Sequence, residues 1–107
     1  MFDALEMSLR VLERLGSVEQ KIRKHSVSLG KQLADAAESV SLNLGEGRLR
    51  RDGDQRRHWQ MAAGSASEVT TALRIALVRR YITRDDFVAI DADLDRVRAM
   101  LFRLTRP

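Results

Sequence analysis

The stretch Asn43-Leu44-Gly45-Glu46-Gly47-Arg48-Leu49-Arg50-Arg51-Asp52-Gly53-Asp54-Gln55-Arg56-Arg57-His58-Trp59 gathers the residues of this chain best suited to engage a ligand. Arg48, Arg50, Arg51, Arg56 and Arg57 fall close together in it. A guanidinium presents a planar fork of donors that matches phosphate or carboxylate oxygens, so clustered arginines point to nucleic acid or to an acidic protein surface. The plainer reading is structural. Gly45-Glu46-Gly47 then closes a helix, with Gly47 free to adopt the left-handed conformation, Asp52-Gly53 makes a turn, Asp54 caps the next helix, and the arginines are solvated. Two residues resist that account. Asn43 falls on an apolar seam, where an amide needs a partner, and Glu46 sits between glycines that a sequence arranged only for helix stability would avoid.

Catalytic and metal chemistry find little support. The chain has no cysteine, which removes disulfides, thiolate metal sites and a cysteine nucleophile. A di-iron carboxylate centre in a helical bundle draws on Glu-x-x-His pairs, and no glutamate precedes His25 or His58 by three positions. His58 reads as a helix-start surface residue beside Trp59, the aromatic anchor packed inward. Gly64-Ser65-Ala66-Ser67 lacks the Gly-x-Ser-x-Gly elbow and its strand, and Gly45-Glu46-Gly47 lacks the Gly-Lys-Ser/Thr of a phosphate loop. The sequence is read as a non-enzyme with no cofactor and no metal.

Composition narrows the fold. At 107 residues the chain is the size of one domain. Its single proline is Pro107 and its aromatic content is 5%, so no interior position forbids a helix and an all-β core is poorly supplied. No run approaches the roughly 20 apolar residues of a membrane span. The first residues, Met1-Phe2-Asp3-Ala4-Leu5-Glu6, are acidic where a secretion signal is basic, so a cytoplasmic protein without membrane contact is expected. The net charge is +4, and lysine occurs only at positions 21, 24 and 31. This arginine bias suits bidentate phosphate contacts, although GC-rich coding also produces it.

The elements that must position these residues are helices. In residues 2–24, Leu5, Leu9 and Leu12 form one stripe and Met7, Val11, Leu15, Val18 and Ile22 its neighbour, with the pattern running through Gly16. Ser26 or Ser28 caps the next element. Residues 27–49 place Leu29, Leu33, Ala36, Val40 and Asn43 on a seam flanked by Ala37 and Leu44. Residues 54–81 align Trp59, Ala62, Ala66, Val69, Leu73 and Ala76, and the small residues from Ala62 to Ser67 permit close helix approach. Thr83-Arg84-Asp85-Asp86 reads as a cap with acids in the first turn, followed by Phe87, Ile90, Leu94, Val97, Leu101 and Leu104 at three-four spacing.

Short connections make neighbouring helices antiparallel, giving an all-α, up-down-up-down antiparallel four-helix bundle as a single domain over residues 1–107. That topology brings the loop after the second helix to the same end as the chain's terminal residues. Arg48, Arg50, Arg51, Arg56 and Arg57 therefore share an end with Arg103 and Arg106, facing Asp3, Glu6, Glu46, Asp52 and Asp54. Arg23, Lys24, His25, Arg79, Arg80 and Arg84 collect at the other end.

Gln32-Leu33, then Ala36-Ala37-Glu38-Ser39-Val40-Ser41-Leu42-Asn43-Leu44-Gly45-Glu46-Gly47, then Gly64-Ser65-Ala66-Ser67-Glu68, resembles the bacterial four-helix-bundle family of 23S rRNA intervening-sequence proteins. The likeness runs over residues 29–81, with a compatible last helix. Asn43, Glu46 and Gly47 match its first motif, and Gly64, Ser65 and Glu68 its second. Ala34-Asp35 departs from the basic residues that often follow Gln32-Leu33 in the family, and Gly45 replaces the usual alanine. The resemblance implies a homopentamer without established activity. It also implies kinship with the accessory variability determinants of diversity-generating retroelements, basic pentamers that bind a reverse transcriptase and nucleic acid.

Two functions follow as expectations. The first is an accessory protein that binds RNA or DNA, and with it a reverse transcriptase or other protein partner, through Arg48, Arg50, Arg51, Arg56, Arg57, Arg103 and Arg106. The second is a ring-shaped scaffold that docks a protein partner without nucleic acid, with Leu42, Leu49, Met61 and Val88 at the subunit interface. Asn43 and Glu68 are assigned to an architectural polar network, Gly64 and Ser65 to close packing, and Glu46 to pairing with the loop arginines.

Overall fold

Apolar residues at three-four spacing build four helices in the computed structural model, which describes residues 2–107: α1 (Asp3–Arg23), α2 (Val27–Arg48), α3 (Asp52–Val78) and α4 (Arg84–Thr105). Each helix packs on its neighbours in the cycle α1, α2, α3, α4 and back to α1, with α2 and α3 the most extensive pair. The product is the expected four-helix bundle, 42 × 23 × 22 Å, with no strand among the described residues.

The core draws one face from each helix. Met7, Val11, Leu15, Val18 and Ile22 of α1 are buried, as are Leu33, Val40 and Leu44 of α2 and Ile90, Leu94, Val97 and Leu101 of α4. Leu9, placed by its period on a companion stripe, is instead 44% exposed, because a helix in a square bundle buries only the arc between its two neighbours. From α3 come mostly alanines: Ala62, Ala66, Ala72 and Ala76 are buried beside Val69 and Leu73. Small side chains there let the backbone of α3 approach the leucines of α2, as ridges fit grooves.

The buried serines and Asp93 inside the bundle are paired. Ser8 and Ser41, both buried, share a 2.8 Å hydrogen bond between α1 and α2, and Ser8 Oγ also donates to the Leu5 carbonyl. Arg14 reaches the largely buried Asp93 at 2.8 Å, joining α1 to α4. Arg98 Nη1 donates to Thr70 Oγ1 at 2.7 Å, joining α4 to α3. Such partners remove the roughly 1–3 kcal/mol cost of an unsatisfied buried polar group.

The helix starts are mixed. Ser26 Oγ accepts from the Leu29 amide and caps α2. Thr83 and Asp86 form a reciprocal capping box at α4: Thr83 Oγ1 accepts from the Asp86 amide and Asp86 Oδ2 accepts from the Thr83 amide, both at 3.1 Å. The start of α3 differs from expectation. The helix opens at Asp52 rather than Asp54, its N-cap is Arg51 without a side-chain bond, and Asp52 sits in the left-handed region at φ 51°.

Asp86 ties two elements together, since Lys21 Nζ of α1 donates to its carboxylate at 3.0 Å. The Thr83 amide, then Lys21, hold the Asp86 carboxyl below its ordinary range. A carboxylate whose pKa is depressed by folding stabilises the native state above its unfolded pKa, and that contribution disappears as pH falls through the folded value. Urea denaturation should therefore show wild type more stable than Asp86→Ala near neutral pH, with the gap closing only in acid, below the ordinary range of an aspartate. A gap independent of pH would contradict this linkage.

Candidate nucleic-acid interface

Trp59 organises the arginine-bearing end. It lies on the first turns of α3, half-buried, against Phe2 with ring centroids 5.8 Å apart, and it presses on α2 where that helix has no side chain. A Cβ at Gly47 would stand 2.7 Å from both Trp59 Cδ1 and Nε1, and 3.2 Å from the Gln55 carbonyl oxygen. This contact corrects the sequence reading of Gly47. The residue is helical, α2 continues through Arg48, and no glycine among the described residues has a positive φ. Gly47 is needed for closeness and not for turning. The packing leaves Trp59 Nε1 buried without a hydrogen-bond partner among the described residues.

Gln55 closes the connection. Its Nε2 donates to the carbonyls of Gly47 and Arg50, both at 3.1 Å, which ties the start of α3 to the end of α2; the Gly47 carbonyl also accepts from the Arg50 amide at 3.0 Å. Sequence reasoning missed this residue. Its signal was a glutamine in the first turn of the third helix, within reach of the preceding helix end.

The carboxylates then sort the arginines. Arg50 Nη2 donates to Glu46 at 2.6 Å and Nη1 to Asp54 at 3.2 Å, while Arg57 Nη2 donates to Asp54 at 2.9 Å. The Arg50 hydrogen bond holds the Glu46 carboxyl below its ordinary range, Arg57 does the same for Asp54, and Glu46 in turn raises Arg50. These groups are solvent-exposed, and such pairs contribute little to stability. They do set the local charge. Arg48, Arg51, Arg56, Arg103 and Arg106 form no ion pair among the described residues.

The topology brings most of these side chains to one end. Arg56 Nη2 lies 3.5 Å from the Thr105 carbonyl, and Arg56, Trp59, Leu104 and Arg106 line one shallow depression. Arg103 lines the adjacent one with Phe2 and Asp3.

The motif residues divide. Asn43, half-buried, donates from Nδ2 to the carbonyl and the hydroxyl of Ser39, and its Oδ1 lies 3.2 Å from His58 Nδ1. Ser65 Oγ donates to Ser39 Oγ at 2.8 Å, completing a polar seam from α2 to α3. His58 is thus half-buried and bonded across helices, not the surface residue its position suggested. Glu68 does not join: it is exposed and makes no hydrogen bond among the described residues. The α3 partners in that seam are Ser65, bonded to Ser39, and His58, bonded to Asn43. Gly64 is likewise exposed, with nothing within 4 Å of a Cβ placed there, so it does not serve packing within the bundle. No cluster of acidic and histidine residues suited to a metal occurs among the described residues, and no helix is long and apolar enough to cross a membrane.

The family model described as 23S rRNA-intervening sequence protein matches residues 2–103. A crystal structure of a protein of unknown function from the S23 ribosomal protein family of Bacteroides thetaiotaomicron superposes with a TM-score of 0.87, covering 97% of this chain and 99% of that one at 19% identity. At that identity the likeness speaks for the fold. No curated protein matches the chain.

Gly47→Ala should destabilise the bundle by about 1–3 kcal/mol, the usual range for overpacking a tight contact. The chain has one tryptophan, so denaturation followed by its fluorescence reports the site directly. Gly64→Ala serves as the control and should be neutral or stabilising.

Proposed function

The chain belongs to the 23S rRNA-intervening sequence protein family, and we propose that it acts there as a non-enzymatic, homo-oligomeric accessory protein that binds structured RNA or duplex DNA through the arginine-bearing end. The observation that carries this reading is the sorting of charge. Acids pair with Arg50 and Arg57, whereas Arg48, Arg51, Arg56, Arg103 and Arg106 have no acidic partner among the described residues, and Arg56 and Arg106 flank Trp59. Guanidiniums without acidic partners are suited to phosphate oxygens.

Assembly strengthens such a surface. A ring of subunits, five by resemblance to retroelement accessory proteins, would repeat a modest patch and raise its avidity without new contacts. Leu42 on α2 and Leu49 at its C-cap, 71% and 81% exposed, offer apolar surface for that association. Met61 and Val88 are exposed as well, at 47% and 57%. A reverse transcriptase or another nucleic-acid enzyme is the protein partner this role implies. The same exposed apolar surface supports a second reading, a scaffold ring that docks a protein partner without nucleic acid.

Anisotropy titrations of a labelled structured RNA and a matched DNA duplex test the proposal. Binding should weaken on the order of a thousandfold between about 50 and 200 mM salt as counterions are released. Reversing Arg48, Arg51, Arg56 and Arg106 to glutamate should abolish binding with helicity intact, while reversing the paired Arg50 and Arg57 should cost less. Affinity that survives the fourfold reversal sinks the nucleic-acid role at this end. Sedimentation of a monomer throughout the micromolar range sinks the oligomer.

A further inference from the structure

The opposite end of the bundle has a different chemistry. We propose that the α1–α2 and α3–α4 turns form a second nucleic-acid site, which takes a single-stranded segment by stacking a base on His25 and Tyr81 and holding its phosphates with Lys24, Arg79, Arg80 and Arg84.

The platform is preformed. The rings of His25 and Tyr81 lie 4.9 Å apart at an interplanar angle of 3°, with His25 exposed and Tyr81 half-buried against the core. An exposed ring with one face on Tyr81 offers its other face to solvent, where a base can extend the stack. The Arg79 guanidinium carbon lies 5.9 Å from the centre of the Tyr81 ring, and Arg79 Nε donates to the Tyr81 hydroxyl at 3.4 Å. Tyr81, Arg80 and Arg84 also line one open groove with Lys21 and Asp86.

Cations at this end have an ordinary explanation, and it accounts for only some of them. The C-termini of α1 and α3 lie here, and basic residues there offset the helix dipole, which suffices for Arg23, Lys24 and Arg79. Arg80 and Arg84 run against local stability. Arg80 occupies the left-handed position that closes α3, at φ 62°, with its amide bonded to the Leu77 carbonyl at 3.1 Å and the Tyr81 amide to the Ala76 carbonyl at 2.8 Å. Glycine adopts that conformation without the steric conflict an L side chain meets. Arg84 is the first residue of α4, where the dipole disfavours a positive charge.

Neither residue gains a compensating pair. Lys21 is held by Asp86 and Arg23 by Glu19, whereas Lys24, Arg79, Arg80 and Arg84 form no ion pair among the described residues. A cation kept where the backbone favours glycine, beside a stacked aromatic pair, fits a ligand with both a flat face and phosphates.

Single-stranded nucleic acid is that ligand, because a duplex buries its base faces in its own stack while an unpaired strand presents them. The site shares no residue with the arginine-bearing end and stands whether or not that end binds duplex.

The test uses labelled oligothymidylate, oligouridylate and an abasic oligomer of equal length, titrated with the whole protein. Both base-bearing strands should bind about tenfold more tightly than the abasic one. His25→Ala and Tyr81→Leu should each remove most of that advantage and leave duplex binding unchanged. Arg80→Gly should raise the melting temperature and weaken single-strand binding several-fold, a combination that a purely structural role for Arg80 does not produce. The fourfold arginine reversal at the other end should leave the difference between base-bearing and abasic strands intact. Equal affinity for abasic and base-bearing strands overturns the site, as does single-strand binding unchanged in both His25→Ala and Arg80→Gly. Duplex binding that vanishes in the fourfold reversal leaves the proposed function standing even then.

Discussion

Trp59 against the bare backbone of Gly47 is the contact on which the arginine-bearing end depends. Any side chain at position 47 would occupy space the indole now fills, so α2 and α3 meet here at a distance set by an absent Cβ. The alanines of α3 extend the same close approach along the helix pair. A glycine inside a helix costs roughly 1 kcal/mol of propensity relative to alanine. Apolar burial and dispersion across a tight α2–α3 interface offset that loss. Because α2 stays helical to its end, Glu46 and Arg50 lie one turn apart and Arg50 meets Asp54 at the start of α3.

Electrostatics at that end matters more for selection than for stability. Exposed ion pairs are screened by solvent and salt, so the Glu46, Arg50, Asp54 and Arg57 chain adds little to folding. Its effect is to fix which guanidiniums remain available. Net charge conveys none of this, because a modest +4 is compatible with an evenly neutralised surface or with two ends that each hold unpaired cations.

The two ends differ in what surrounds those cations. At the arginine-bearing end the tryptophan is committed to packing and its ring is half-buried. At the other end His25 is exposed on the face of Tyr81, and the neighbouring arginine occupies a strained backbone position. A bundle of this kind holds its core in the seams between helices, which leaves the turns free to carry unrelated chemistry.

Most of the fold is legible in the sequence. Three-four spacing, the absence of internal proline, a serine (Ser26 or Ser28) before α2 and Thr83 with Asp86 before α4 determine four helices, because periodicity and capping act over one or two turns of chain. Antiparallel order followed from short connections, and with it the grouping of arginines by end. What the sequence left open depended on partners distant in the chain. Gly47 reads in sequence as a terminator but is a close contact for Trp59, Glu68 reads as a network member but Ser39 and Ser65 pair without it, and His58 reads as superficial but bonds Asn43. Which arginines stay unpaired, and that His25 lies flat on Tyr81, are likewise decided only when side chains from different helices compete for the same few ångströms of space.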